Sequence, residues 1–187
     1  MNFDYKPANF AEIHQSLRLL TQPLSEAQIR LLLASIAPHV SELSEFARFS
    51  DTSYCRNRIL RSEALDLLLL CWKPGQRTPI HDHSGSICGV HVVRGEALEI
   101  GFTPSGVGLM VPTNCTRLSA GEITVSRDSE AHMMANVAST SQDLVTLHCY
   151  SPPLDSMRIF SETETFFTDY SAIVASAATS GCYHVRP

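Results

Sequence analysis

The feature that most restricts what this chain can become is a change of rhythm at Ala64. From there to Phe160 the sequence breaks into short apolar or alternating runs rich in β-branched residues, separated by Gly, Pro, Ser and Asn. The runs are Ala64–Lys73, Ile87–Val93, Ala97–Phe102, Glu122–Ser126, Met133–Val137, Leu144–Tyr150 and Arg158–Phe160. Many short strands with no helical pattern between them predict an antiparallel barrel or sandwich. They disfavour a parallel sheet, whose crossovers need alternating helices.

The segment ahead of the strands reads as helical from about Phe10 to Phe49, with Ile29, Leu32, Leu33 and Ile36 at helical spacing inside Ser25 to Ala37. Ser25 and Gln28 form an S-x-x-Q capping box at its start, and Pro38 ends it. A shorter helical stretch, Ser41 to Phe49, leads into a basic segment with Arg56, Arg58 and Arg61. The expected architecture is mainly β: one domain over residues 1–187, with a helical N-terminal layer at 8–50 and a small antiparallel β-barrel at 58–170. The small-residue-rich stretch Ser171 to Ser180 has no assigned place.

Charge narrows the partners. A formal net charge of −5, without a block of Lys or Arg, leaves no footprint for nucleic acid or an anionic membrane surface, so a small molecule is expected instead. The longest apolar run, Leu67 to Trp72, is far short of the roughly 20 residues that span a bilayer. Met1 to Pro7 lacks the basic-then-apolar pattern of a secretory signal, and a cytoplasmic location is expected. The six cysteines are widely scattered with no C-x-x-C pair, which reads as mostly reduced packing residues.

Histidine is the informative residue type. In an extended segment, residues two apart share a face, so one strand can present both His81 and His83 to one point while Asp82 faces away. Iron and zinc both accept neutral imidazole, and His132 is the best candidate for a third ligand from elsewhere in the fold. The spacing resembles the two motifs of the cupin superfamily. In the first, G-x5-H-x-H-x4-E-x6-G, the positions fall on Gly75, His81, His83, Cys88 and Gly95, with Cys88 where cupins usually carry glutamate. In the second, Gly121, His132 and Asn136 stand at the motif intervals, while Arg127 and Ser129 replace its proline and glycine.

Within the cupins, a three-histidine site lacking the glutamate resembles cysteine dioxygenase, whose animal enzymes carry cysteine at the Cys88 position. Further segments are similar to that family over roughly residues 50–161. Tyr54-Cys55-Arg56-Asn57 resembles its Y-x-R-N segment, which implies that Arg56, with Tyr54 beside it, binds the substrate carboxylate through its fork of parallel donors. Thr146-Leu147-His148-Cys149-Tyr150-Ser151-Pro152-Pro153 resembles S-x-H-x-Y-S-P-P, with Thr146 for serine. Residues 146, 148 and 150 alternate onto one strand face, and the resemblance implies a relay of Thr146, His148 and Tyr150 aimed at the metal. It also implies a thioether crosslink between Cys88 and Tyr150, a cis Ser151-Pro152 bond, one Fe(II) per chain and a monomer.

The activity so implied is oxidation of L-cysteine by dioxygen to cysteine sulfinate, with the substrate reaching iron as a thiolate. The alternatives are a dioxygenase for 3-mercaptopropionate, which usually has glutamine in place of Arg56, and a non-catalytic metal- or small-molecule-binding cupin. His14, His39, His91 and His184 match no motif position and are taken as structural or surface residues.

Overall fold

The computed structural model describes residues 7–127, 131–137, 141–161, 163, 164 and 167–171. Two helices open the chain, α1 (Phe10–Arg18) and α2 (Glu26–Ile36), followed by a 3-10 helix over Ala37–Phe46. The Ser25 capping box closes as expected: the serine side chain accepts from the Gln28 amide, and the Gln28 side chain accepts from the Ser25 backbone. Pro38 does not simply end the helical region. It occupies the start of the 3-10 helix, where its missing N–H costs nothing, so helical structure runs on without a break.

Among the described residues eleven strands follow: β1 (Cys55–Arg61), β2 (Asp66–Trp72), β3 (Ile80–His81), β4 (Ile87–Arg94), β5 (Glu96–Pro104), β6 (Met110–Ser119), β7 (Ile123–Ser126), β8 (Ala131–Asn136), β9 (Leu144–Ser151), β10 (Ser156–Phe160) and β11 (Phe167–Ser171). They form two sheets, ordered β1-β2-β9-β4-β7 and β11-β10-β3-β8-β5-β6, whose recorded pairings are all antiparallel. All seven strands expected from the sequence are present. The basic segment proves to be a strand as well, so the β region begins at Cys55 rather than at residue 58. Strand β6 was not legible because nearly all of it is exposed, and its Pro112 fits an edge strand beside a bulge in the pairing with β5. Beyond Ser171 the small-residue-rich stretch lies outside the described residues.

Alternation sorts the first sheet into two faces. Odd-numbered Leu67, Leu69, Cys71, Val145, Leu147 and Cys149 pack against Ile29, Leu32, Leu33 and Ile36 of α2. Even-numbered Leu68, Leu70, Trp72, Val90, Val92 and Leu144 turn inward with Ala97, Leu118 and Met134 of the second sheet. Strand β2 is therefore covered on both faces and reads as a continuous apolar run. Gly89 lets α2 approach closely: a Cβ there would lie 2.3 Å from a methyl of Ile29 and 2.9 Å from one of Leu33. Gly89→Ala is accordingly expected to destabilise the fold by about 1–3 kcal/mol, the usual cost of overpacking. A lowered thermal midpoint would show it; an unchanged one would mean that α2 shifts freely.

Four cysteines, Cys71, Cys88, Cys115 and Cys149, are free thiols as expected, whereas Cys55 is disulfide-bonded, which wide spacing alone gave no means to foresee. Among the described residues no helix is long and apolar enough to cross a membrane.

Candidate metal centre

Strand β3 ends at His81, and His83 follows just before a turn at Ser84 and Gly85, both with positive φ (46° and 94°). The turn is closed by the Ser86 amide donating to the His83 carbonyl at 2.9 Å. The two-residue strand therefore carries only one ligand, and the second lies just past it. Their rings nevertheless converge as expected, with centroids 5.5 Å apart. His132 on β8 stands directly opposite His81 in the sheet register. All three histidines are buried, and one nitrogen from each lies within 4.8 Å of the others, a group that can hold a metal ion.

Asp82 faces away, as alternation requires, and ties the ligand segment to β10. Its carboxylate accepts from the Arg158 amide at 2.9 Å and also pairs with the Arg158 guanidinium. Two rings are oriented through Nδ1: His81 Nδ1 lies 3.0 Å from the Pro79 carbonyl oxygen, and His132 Nδ1 lies 2.7 Å from Glu99 Oε1. With Nδ1–H donating, Nε2 keeps its lone pair for a metal. Burial, reinforced by the other histidines, lowers His81 to about 3 and holds His83 well below its ordinary value. Neutral imidazoles need lose no proton to ligate, and a three-histidine group suits a divalent transition metal.

These shifts predict the acid behaviour of the metal-free protein. Below about 6.5 the unfolded histidines take up protons that the buried ones refuse, so stability present above that pH is lost progressively as pH falls towards about 3. Urea midpoints should fall between about pH 7 and pH 5. Equal midpoints would contradict burial of neutral rings.

Opposite the histidines, the inner face of the first sheet supplies the polar groups. Tyr150 on β9 pairs directly with Cys88 on β4, and their side chains are hydrogen-bonded. His148 Nδ1 lies 3.3 Å from the Tyr150 hydroxyl, and His148 Nε2 lies 2.9 Å from the Thr146 hydroxyl. The Trp72 indole N–H donates to that same hydroxyl at 3.0 Å. An indole N–H can only donate, so Thr146 accepts from it and can pass its own hydrogen to His148 Nε2. Nδ1–H then faces the Tyr150 oxygen, so the phenol's own O–H is directed away from His148, on the side of Cys88. Burial, and then the neighbouring Cys88, hold the Tyr150 phenol well above its usual range, so it stays protonated at neutral pH. Burial likewise raises the Cys88 thiol.

Arg56 is 5% exposed, and its guanidinium stands over the Tyr150 ring, 5.6 Å from the centroid. It is hydrogen-bonded to Tyr54, which stacks on Trp72 at 4.4 Å. Burial opposes its charge, yet its pKa is raised, with Tyr150, the hydrogen-bonded Tyr54 and the Asp66 carboxylate around it. Its neighbours are engaged elsewhere. Arg58 grips the buried Asp66 with two bonds of 3.0 and 3.1 Å, and Arg61 pairs with Asp66 and Asp155. The Arg56 guanidinium therefore faces the three buried histidines across the barrel, where an anionic ligand would be favoured.

Three contributors were not foreseen: Trp72, Glu99 and the Asp82–Arg158 pair. The signal for Glu99 was available, since an acidic residue between Ala97 and Gly101 occupies an inward position of its strand. Asn136 of the second motif proves structural, its amide donating to the Trp72 and Gln142 carbonyls. His39 pairs with Glu42, His14 lies against Phe10, and His91 is buried on the helix-facing side of β4. His184 and Ser129 lie outside the described residues. The Ser151-Pro152 peptide is cis, as the resemblance implied.

A family model described as cysteine dioxygenase type I matches residues 3–163. Cysteine dioxygenase type 1 of Homo sapiens is 26% identical over 190 residues, covering 94% of this chain and 94% of its own. That of Danio rerio is 26% identical over 172 residues, covering 84% of this chain and 81% of its own. Among solved structures, the protein TT1209 from Thermus thermophilus matches with a TM-score of 0.50 and 20% identity, over 59% of this chain and 94% of its own. A Klebsiella pneumoniae protein with a double-stranded β-helix domain gives a TM-score of 0.50 and 18% identity, over 64% and 94%. These two bear on the fold, which is the double-stranded β-helix of the cupins.

Proposed function

Because the chain belongs to the cysteine dioxygenase type I family, we propose that it is an iron(II)-dependent thiol dioxygenase converting L-cysteine and dioxygen to cysteine sulfinate. The observation that carries this reading is the buried guanidinium of Arg56 above Tyr150, across the barrel from three buried histidines. His81, His83 and His132 would hold the iron. When bound, it supplies sites for thiolate and dioxygen and the redox chemistry that moves both oxygen atoms to sulfur, the thiolate providing the electrons.

The chain's own groups bind and orient. Arg56 holds the substrate carboxylate in a bidentate fork, beside Tyr54. Tyr150, kept protonated by burial, donates its O–H towards the reacting oxygen, while His148 and Thr146 fix the phenol's direction. Apolar Leu68, Leu70 and Val90 line the same inner face and restrict water. The reading carries with it one iron per chain and a monomer acting in the cytoplasm on a small thiol. Iron reconstitution under argon, followed by oxygen-uptake and sulfinate measurements with L-cysteine and with 3-mercaptopropionate, tests it. Sulfinate from cysteine is expected; turnover of the amine-free thiol alone would move the assignment to that substrate, and iron binding without turnover of either would leave a binding protein.

Cys88 and Tyr150, opposite each other and hydrogen-bonded, are the proposed thioether pair. Joining sulfur to the ring carbon beside the phenol removes one hydrogen from each partner, with dioxygen as the oxidant. Intact mass after turnover should show a species lighter by about two hydrogens. It should be missing from Cys88→Ser, and its absence from the parent protein would refute the crosslink.

A further inference from the structure

His81 is steered by a neutral backbone carbonyl, whereas His132 Nδ1 meets a carboxylate at 2.7 Å. Glu99 reaches it from β5, which pairs with β8 so that Gly101 lies opposite His132 and Met134 opposite Glu99. The carboxylate is 16% exposed at the floor of a cleft of about 390 Å³ between the sheets, lined also by Asn114, Thr116, Thr124 and Ser126. Its charge also reaches Cys88, where it adds to burial in raising the thiol. The position that supplies an inner glutamate in other cupins is thus a thiol here, while a carboxylate sits behind one of the remaining ligands.

We propose that Glu99 is a positioning residue of the metal centre: by accepting the Nδ1–H of His132 it fixes that ring with Nε2 towards His81 and His83 and strengthens it as a donor. An imidazole donating to a carboxylate gains electron density at its other nitrogen, and losing such a partner commonly costs about 10–100-fold in metal affinity. The inference rests on the metal-binding part of the functional reading and is independent of which thiol is oxidised.

The test is Co(II) affinity, measured by chelator competition without substrate, for the parent protein and for Glu99→Ala, Glu99→Asp and Glu99→Gln. Alanine should weaken binding by about 10–100-fold. Aspartate, one methylene shorter, should weaken it too, because its carboxylate is withdrawn from Nδ1. Glutamine, whose carbonyl oxygen still accepts and orients the ring but carries no charge, should recover part of the affinity. Thermal melts of the metal-free proteins check folding, and if alanine does not fold, the comparison of aspartate with glutamine decides. Parent-like affinity in the alanine variant, or glutamine no better than aspartate, would overturn the assignment. Failure of the parent to oxidise cysteine while this pattern holds would refute the proposed reaction and leave Glu99's role standing.

Discussion

Arg56→Gln is expected to lower kcat/KM for L-cysteine by about 2–5 kcal/mol, roughly 30- to 5,000-fold, the cost of truncating one partner of a buried, hydrogen-bonded charge pair. The guanidinium has little solvent to fall back on, being 5% exposed and fixed between Tyr54 and Tyr150. On the proposed function, a substrate carboxylate arriving there would exchange its hydration for parallel charged donors, and glutamine offers neither the charge nor the fork. Arg56→Lys keeps the charge but not the geometry and should fall between the two. Arg58 cannot substitute, because both of its bonds are committed to Asp66. The loss should be much smaller for a thiol without a carboxylate, so equal losses for cysteine and cysteamine would show that Arg56 serves the fold and not the substrate. A thermal melt separates that outcome from unfolding.

His132→Ala should abolish turnover, with a drop of about a thousandfold or more, since the metal's contribution amounts to several kcal/mol. Two imidazoles remain, but both come from the short segment around Asp82, and the opposing sheet strand no longer closes the group. Iron retained after desalting should fall well below one per chain. The substitution also leaves the partly buried Glu99 carboxylate without its His132 partner, so a modest loss of stability should accompany the loss of metal. Full activity or full iron content in this variant would remove His132 from the ligand set.

Much of the local structure was legible in the sequence alone. Alternation put Thr146, His148 and Tyr150 on one face, and hydrogen bonds of 2.9 and 3.3 Å join them. The capping box located α2, and the spacing of the two histidine motifs singled out the three histidines that converge, because strand period and cap chemistry depend only on near neighbours. It failed where the chemistry is written in exposed or very short segments: β6, polar along most of its length, and β3, only two residues long.

Tertiary structure decided who meets whom. The sequence offers three arginines in one short stretch, and only the register of β1 against β2, with Asp66 taking Arg58 and Arg61, leaves Arg56 facing the site. Trp72 joins the relay because β2 pairs with β9, and Glu99 backs His132 because β5 pairs with β8. The seven strands legible at the outset could have been stacked in many orders, and the period of a strand fixes which face a side chain takes but not which strand lies across from it. That choice belongs to the closing of the two sheets over one core, where burial of Leu68, Leu70, Val90 and Met134 selects the pairing that also assembles the site.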